Sequence, residues 1–147
     1  MSKTHFPRVG GNQWVDSFYR PPVPTTGNVF WVHSGTGSNS PADGGRSPEA
    51  PFATLAAAVS AATASNGDVV YLMPGHNENI GNEQITISKA GLKIVGLGEG
   101  SARARFDYDH ANASIDITAS GVTLQGIDLL PSVTVVAVGI EAKTLVT

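Results

Sequence analysis

The sequence predicts an all-β chain: a short solenoid of stacked coils behind one capping helix and an extended N-terminal arm. Three observations lead there. A twelve-residue pattern occurs twice without a gap, alternating apolar and polar segments fill the chain after residue 68, and the composition is rich in turn formers. Glycine and proline number 17 and 9, only 14% of residues are charged, and 41% are hydrophobic. That balance suits short strands joined by tight turns, and it holds enough apolar side chain to build a core.

The chain of 147 residues has the length of one ordinary domain, so its stability demands neither disulfides nor metals. It contains no cysteine, which excludes disulfide frameworks, zinc–thiolate sites and cysteine nucleophiles. Net charge is −3 and no Lys/Arg cluster is present. Nucleic-acid binding needs a basic stripe to neutralise phosphates, so no nucleic-acid partner is expected. Apolar runs are short and broken, so no membrane span is expected either. Met1 to Pro7 lack the apolar stretch of a secretion signal, which points to a protein made in the cytoplasm.

Residues 1–28 read as an arm. Pro21-Pro22-Val23-Pro24 forces extended, polyproline-like backbone, yet the segment also carries Phe6, Trp14, Phe18 and Tyr19. Large aromatics on a segment without its own core need another surface. The arm is a disordered tail, folds back on its own domain, or docks on a neighbouring subunit. Docking is favoured, because aromatics are common interface anchors, and these four are the expected partner-binding residues.

The domain proper is expected over 29–147. Val29 to Val32 is a strand candidate, and the turn-rich loop from Ser34 to Pro48 follows. That loop has no Gly-Lys-Ser/Thr ending, so it is not read as a phosphate cradle. A capping helix is expected over about 53–64, where alanine dominates and Leu55, Val59 and Ala62 share one face. Asn66-Gly67 then stops it in the left-handed conformation. Coils are expected over 68–147, with strands at 69–73, 84–88, 92–95, 104–108, 114–118, 122–125 and 133–138.

The repeat is the strongest signal. Ile85 to Gly96 (ITISKAGLKIVG) lies over Ile115 to Gly126 (IDITASGVTLQG) position by position. A fixed offset of this kind marks coils that stack and bury an inward apolar ladder. Gly91, Gly96, Gly121 and Gly126 are the expected structural turns, with positive φ at Gly91 and Gly121.

Three runs carry a resemblance: Ser-Pro-Glu-Ala-Pro-Phe-Ala-Thr-Leu at 47–55, Gly-Asp-Val-Val-Tyr-Leu-Met-Pro-Gly at 67–75, and the coil motifs at 83–87 and 91–96. Residues 34 to about 130 resemble the N-terminal cap and first coils of the pectate-lyase-like right-handed parallel β-helix superfamily. The resemblance implies that the helix plugs the first coil and that Gly67 to Gly75 holds the first strand. It implies little about function, since that superfamily includes lyases, hydrolases, adhesins and phage structural proteins.

A lyase of that superfamily needs acidic calcium ligands on neighbouring coils and a basic residue over the substrate. The candidates are Arg103, Arg105, Asp107, Asp109 and His110, and alternation puts Arg105, Asp107 and Asp109 on one face. A solvated face with local ion pairs is the favoured reading, because Asp116 and Asp128 look isolated. His5, His33, His76 and His110 lack metal-ligand spacing. Glu78 and Glu83 read as loop solubility, and Asn77, Asn79 and Asn82 as turn residues. No catalytic residue, metal or cofactor is therefore assigned.

Val133 to Val146 stays apolar, with no polar capping helix after it. A solenoid end exposes strand edges and core, so a partner or a symmetry axis should cover it. With the aromatic arm, this pattern resembles a phage virion protein. The expectation is a homotrimeric capsid-decoration or cement protein that binds a major capsid protein or another virion protein and resides in the virion. A tail-fibre, tailspike or baseplate attachment domain is the structural alternative, and a truncated polysaccharide lyase or glycoside hydrolase the enzymatic one.

Overall fold

Parallel β-sheets and one α-helix make up the described part of the protein. The computed structural model describes residues 25–133 and 139–142. The four aromatics of the arm, His5 and most of the strand expected at 133–138 lie outside the described residues. Among those described, ten short strands and one α-helix alternate with tight turns: β1 (Val29–Val32), α1 (Leu55–Ala61), β2 (Val69–Leu72), β3 (Asn77–Ile80), β4 (Gln84–Ile87), β5 (Lys93–Gly96), β6 (Ala104–Tyr108), β7 (Ser114–Ile117), β8 (Thr123–Gln125), β9 (Ile127–Pro131) and β10 (Ile140–Ala142).

The strands fall into three sheets, β1-β2-β5-β8, β3-β6-β9 and β10-β7-β4, and every pairing is parallel. From β2 onward each third strand returns to the same sheet. The two copies of the sequence repeat lie side by side in register, Ile85 against Ile115, Ile87 against Ile117 and Ile94 against Leu124.

Period-two alternation sends one set of side chains inward on every strand. Phe30, Val70, Ile94 and Leu124 form one inward rung across the first sheet. Ile85, Ile115 and Ile140 form another across β4-β7-β10. With Phe106, Tyr108, Leu92 and the apolar face of α1, most of these make one continuous core. Burying each such side chain contributes about 1.5–3 kcal/mol.

Helix α1 covers one end of that core with Leu55, Ala58 and Val59. Thr54 caps it by accepting the Ala57 N–H at 3.3 Å. The helix is shorter than the 53–64 expected, and the reason lies at its C-terminal end. Ala62 is already extended at ψ 154°, and the Thr63 N–H goes to the Asp68 Oδ2 at 2.7 Å instead of a helical carbonyl. Positive φ falls on Ser65 (57°) and Gly67 (76°), with Asn66 free of it. The Asn66 side chain instead donates to Asp68 at 2.7 Å.

Three strands were not foreseen. β3 reads Asn-Glu-Asn-Ile, and asparagine is depleted in strands. Its Asn77 and Asn79 therefore sit on a strand face, which corrects the turn roles expected for them. Pairing with β6 overrides the local preference. β9 and β10 lie on either side of the strand expected at 133–138. Among the described residues, no helix is long and apolar enough to cross a membrane.

Candidate functional site

The charged face considered for chemistry is the outer side of β3-β6-β9. On β6, Ala104, Phe106 and Tyr108 turn inward, leaving Arg105 and Asp107 outside. Register then sets Asn77, Arg105 and Asp128 in one row and Asn79, Asp107 and Leu130 in the next. Arg105 Nε stands 3.3 Å from Asp107 Oδ1, and Arg103 reaches Asp128 Oδ1 at 3.2 Å. Asp109 accepts the Asn79 amide at 2.7 Å, and the His110 Nδ1 accepts the Asn112 N–H at 3.1 Å.

Two aspartates are not isolated as expected. Asp128 belongs to the row of Arg105 and pairs with Arg103. Asp116 is buried and accepts the Ser114 hydroxyl at 2.8 Å. Sequence spacing missed Asp128 because the offset of β9 against β6 is set by loop lengths, whereas the partner of Asp116 stands two residues away on its own strand.

A hollow of about 240 Å³ beside this face is lined by His76, Arg103, Arg105 and Asp128 among others. Its arginines already face carboxylates, and such exposed pairs contribute about 0–1 kcal/mol each. A second hollow, about 720 Å³, opens beside β4 and β7 between Asn82, Glu83, Gln84, Asn112, Ser114 and Glu141. Asn112 donates to the Asn82 Oδ1 across it at 2.9 Å. Its lining is polar and, among the described residues, without an aromatic platform. No group of three or more His, Asp or Glu side chains that could hold a metal occurs among the described residues.

The strongest electrostatic arrangements are internal. Glu78 occupies an inward rung beside Phe106 and Leu129, a position that calls for an apolar side chain. Its Oε2 accepts the Leu55 N–H at 2.8 Å, satisfying the first open amide of α1. The buried His76 Nε2 lies 3.2 Å from the same oxygen, within ion-pair distance but out of line for a hydrogen bond. The His76 Nδ1 accepts the Ser34 N–H at 3.1 Å, and the ring packs edge-on against Phe106 at 5.5 Å. Glu78 is thus a helix cap within the fold, which corrects its reading as a loop residue, whereas Glu83 is exposed.

Asp68, only 1% exposed, gathers three donors: the Asn28 and Thr63 amides and the Asn66 side chain, each at 2.7 Å. Burial alone raises its carboxyl; the hydrogen bonds from Thr63, Asn28 and Asn66 outweigh this and hold it below the usual carboxylate range. Thr25 adds a hydrogen bond from its hydroxyl to the Gly67 carbonyl. Residues 25–28, assigned to the arm by sequence, are therefore fastened to the start of β2. The Tyr108 hydroxyl donates to the Gly139 carbonyl at 2.6 Å, and burial pushes its phenol up to about 12.

The turn glycines have two separate reasons. Gly91 and Gly121 stand at φ 73° and 70°, and the Gly91 N–H bonds the Ser120 carbonyl at 2.9 Å. At the next corner Gly126 has φ 71°, but Gly96 is needed for closeness. A Cβ there would lie 2.1 Å from the Gly126 carbonyl oxygen.

Comparison of the chain with protein-family models, with curated proteins and with solved structures found no match.

Proposed function

We propose that the three sheets are the faces of a short right-handed parallel β-helix. We further propose that the chain is a non-catalytic structural protein of a phage virion, a trimeric capsid-decoration protein whose arm, led by Phe6, holds the shell. Parallel pairing with every third strand returning to the same sheet supports continuous winding, and parallel crossovers are right-handed in nearly all proteins.

The observation that carries the reading is the loss of cover along the stack. Phe30, Val70 and Ile94 are buried on the first inward rung, but Leu124 at its end is only half-buried. Ile115 is buried while its ladder partner Ile140, on the last strand of its sheet, is 40% exposed. Val122, Ile127 and Leu129 are half-covered too. Helix α1 closes one end of the core, and the other asks for a partner. Closed rotational symmetry is the usual way identical chains provide one.

Light scattering after size exclusion tests this first. A trimer supports the reading. A monomer overturns the proposed assembly and makes cleavage of acidic polysaccharide the next assay. With a trimer in hand, removing residues 1–12 should abolish co-sedimentation with capsids while leaving the mass per chain association unchanged.

A further inference from the structure

Strands β1, β2 and β5 of the first sheet are buried on both faces, and only one of those faces is the core. Phe30, Val70, Leu72 and Ile94 turn inward. Trp31, Val69, Tyr71 and Val95 alternate with them and therefore turn outward, yet they are 5%, 0%, 0% and 5% exposed. They form a second apolar cluster, separate from the core. Trp31 and Tyr71 meet there in one row, with ring centroids 5.2 Å apart.

The neighbours described for this cluster do not close it from above. They are Val29, Met73 and Leu97, all on strands of the same sheet or on the residue that follows one. Lateral neighbours on one sheet leave the face open to water. Helix α1 packs with the inward side chains. The loop after β1 meets that strand along its edge, through Trp31 N–H to Gly45 O and Phe52 N–H to Trp31 O.

We infer that this outer face is the seat of the chain's own N-terminal segment, with Trp14, Phe18 and Tyr19 laid across Trp31, Val69, Tyr71 and Val95. The described chain begins at Thr25, which is fastened to Gly67 at the foot of β2. The segment therefore enters at the end of the sheet where Val29, Val69 and Lys93 lie in one row. A hollow of about 260 Å³ between Thr25, Thr26, Gly67 and Lys93 marks that point of entry.

Length and composition agree. Extended chain covers at most about 3.3–3.6 Å per residue, so Tyr19 reaches roughly 20 Å from Thr25 and Trp14 nearly twice that. The buried apolar face, three strands wide at ~4.8 Å spacing, lies within that reach. Pro21-Pro22-Val23-Pro24 stiffens the approach, and three aromatics supply an apolar surface for the cluster to meet. The remaining undescribed segments flank β10, which belongs to another sheet.

This goes beyond the proposed function and narrows it, since only residues ahead of Trp14 are then left to hold a partner. The test uses the two tryptophans. In the full chain carrying Trp14→Phe, Trp31 is the sole tryptophan, and its acrylamide quenching reads cover on the outer face. Adding Phe18→Ser and Tyr19→Ser should raise that quenching several-fold while the far-ultraviolet β signal persists. The single Phe18→Leu variant should give a smaller rise and serves if the double variant loses its fold.

Unchanged quenching in both variants overturns the inference. So does protection of Trp31 that is lost on dilution to monomer, because the cover then belongs to a neighbouring copy. The response of Trp31 quenching to the variants does not depend on whether the protein binds capsids, so failure of this inference and failure of the proposed function are read separately.

Discussion

Asp68 Oδ1 accepts the backbone N–H of Asn28 at 2.7 Å, joining residues forty positions apart at the foot of the first sheet. The other carboxylate oxygen holds Thr63 at the end of α1. One side chain thereby ties the entry of β1, the exit of the helix and the start of β2.

Replacing it should be costly. Asp68→Ala strands three donors, two of them backbone amides, and should destabilise the fold by about 1–3 kcal/mol or more, read from the urea midpoint. Because the folded carboxyl titrates below its unfolded value of ~3.9, its contribution is complete above that pH. It is lost as pH falls through the folded value. The stability difference between the native chain and Asp68→Asn should therefore shrink on acidification below about pH 4.

Glu78 offers a sharper contrast between charge and shape. Glu78→Leu suits the inward rung but leaves the Leu55 amide without its acceptor and His76 Nε2 without a polar neighbour. It should cost about 1–3 kcal/mol in thermal or urea unfolding. Glu78→Gln keeps an acceptor oxygen and should cost less, about 0.3–1 kcal/mol, the part owed to charge at the helix N-terminus.

The glycine corners separate two mechanisms. Gly91→Ala meets nothing within 4 Å and suffers only positive φ, so it should cost about 1–2 kcal/mol. Gly96→Ala drives a methyl into the Gly126 carbonyl and should cost about 3 kcal/mol or more, with reduced soluble yield. Equal effects at both sites would show that the spacing between Gly96 and Gly126 is looser than described.

Tyr108→Phe removes the hydrogen bond to Gly139 and should cost about 0.5–1.5 kcal/mol. The raised phenol also gives an alkaline signature. Its contribution is complete below the unfolded value of ~10 and is lost as pH rises toward the folded value of about 12. Ultraviolet titration should show a late phenolate in the native chain that is missing from Tyr108→Phe.

The β-rich class was legible in the alternating strands, and part of the parallel pairing in the repeat at 85–96 and 115–126, whose isoleucines and glycines lie thirty residues apart, the pairing register itself. β3 was hidden because its neighbours, more than its own residues, make Asn77 to Ile80 a strand. Glu78 was misread for a related reason. A carboxylate at an inward position makes sense only when α1 is known to aim an open amide at it. Asp68 carried a better signal, sitting inside the Gly-Asp-x-Val run that resembles a first strand, but its three partners come from Asn28, Thr63 and Asn66 and no short motif contains them all. The ion pairs of Arg103 and Arg105 were foreseen in kind, and only the partner of Arg103 required the structure.

The in-register match of the two repeats also bears on how such a chain could change length. Asn79 bonds Asp109 and Asn82 bonds Asn112, each across thirty residues, just as Ile85 pairs with Ile115. A duplication of one such unit would meet its template with the same inward side chains and the same corner glycines, and would widen the parallel sheets by one strand spacing of ~4.8 Å. The width of the sheets is in that sense a counted quantity, open to adjustment in whole units, whereas insertion of a few residues within a unit would shift every later strand pairing out of line.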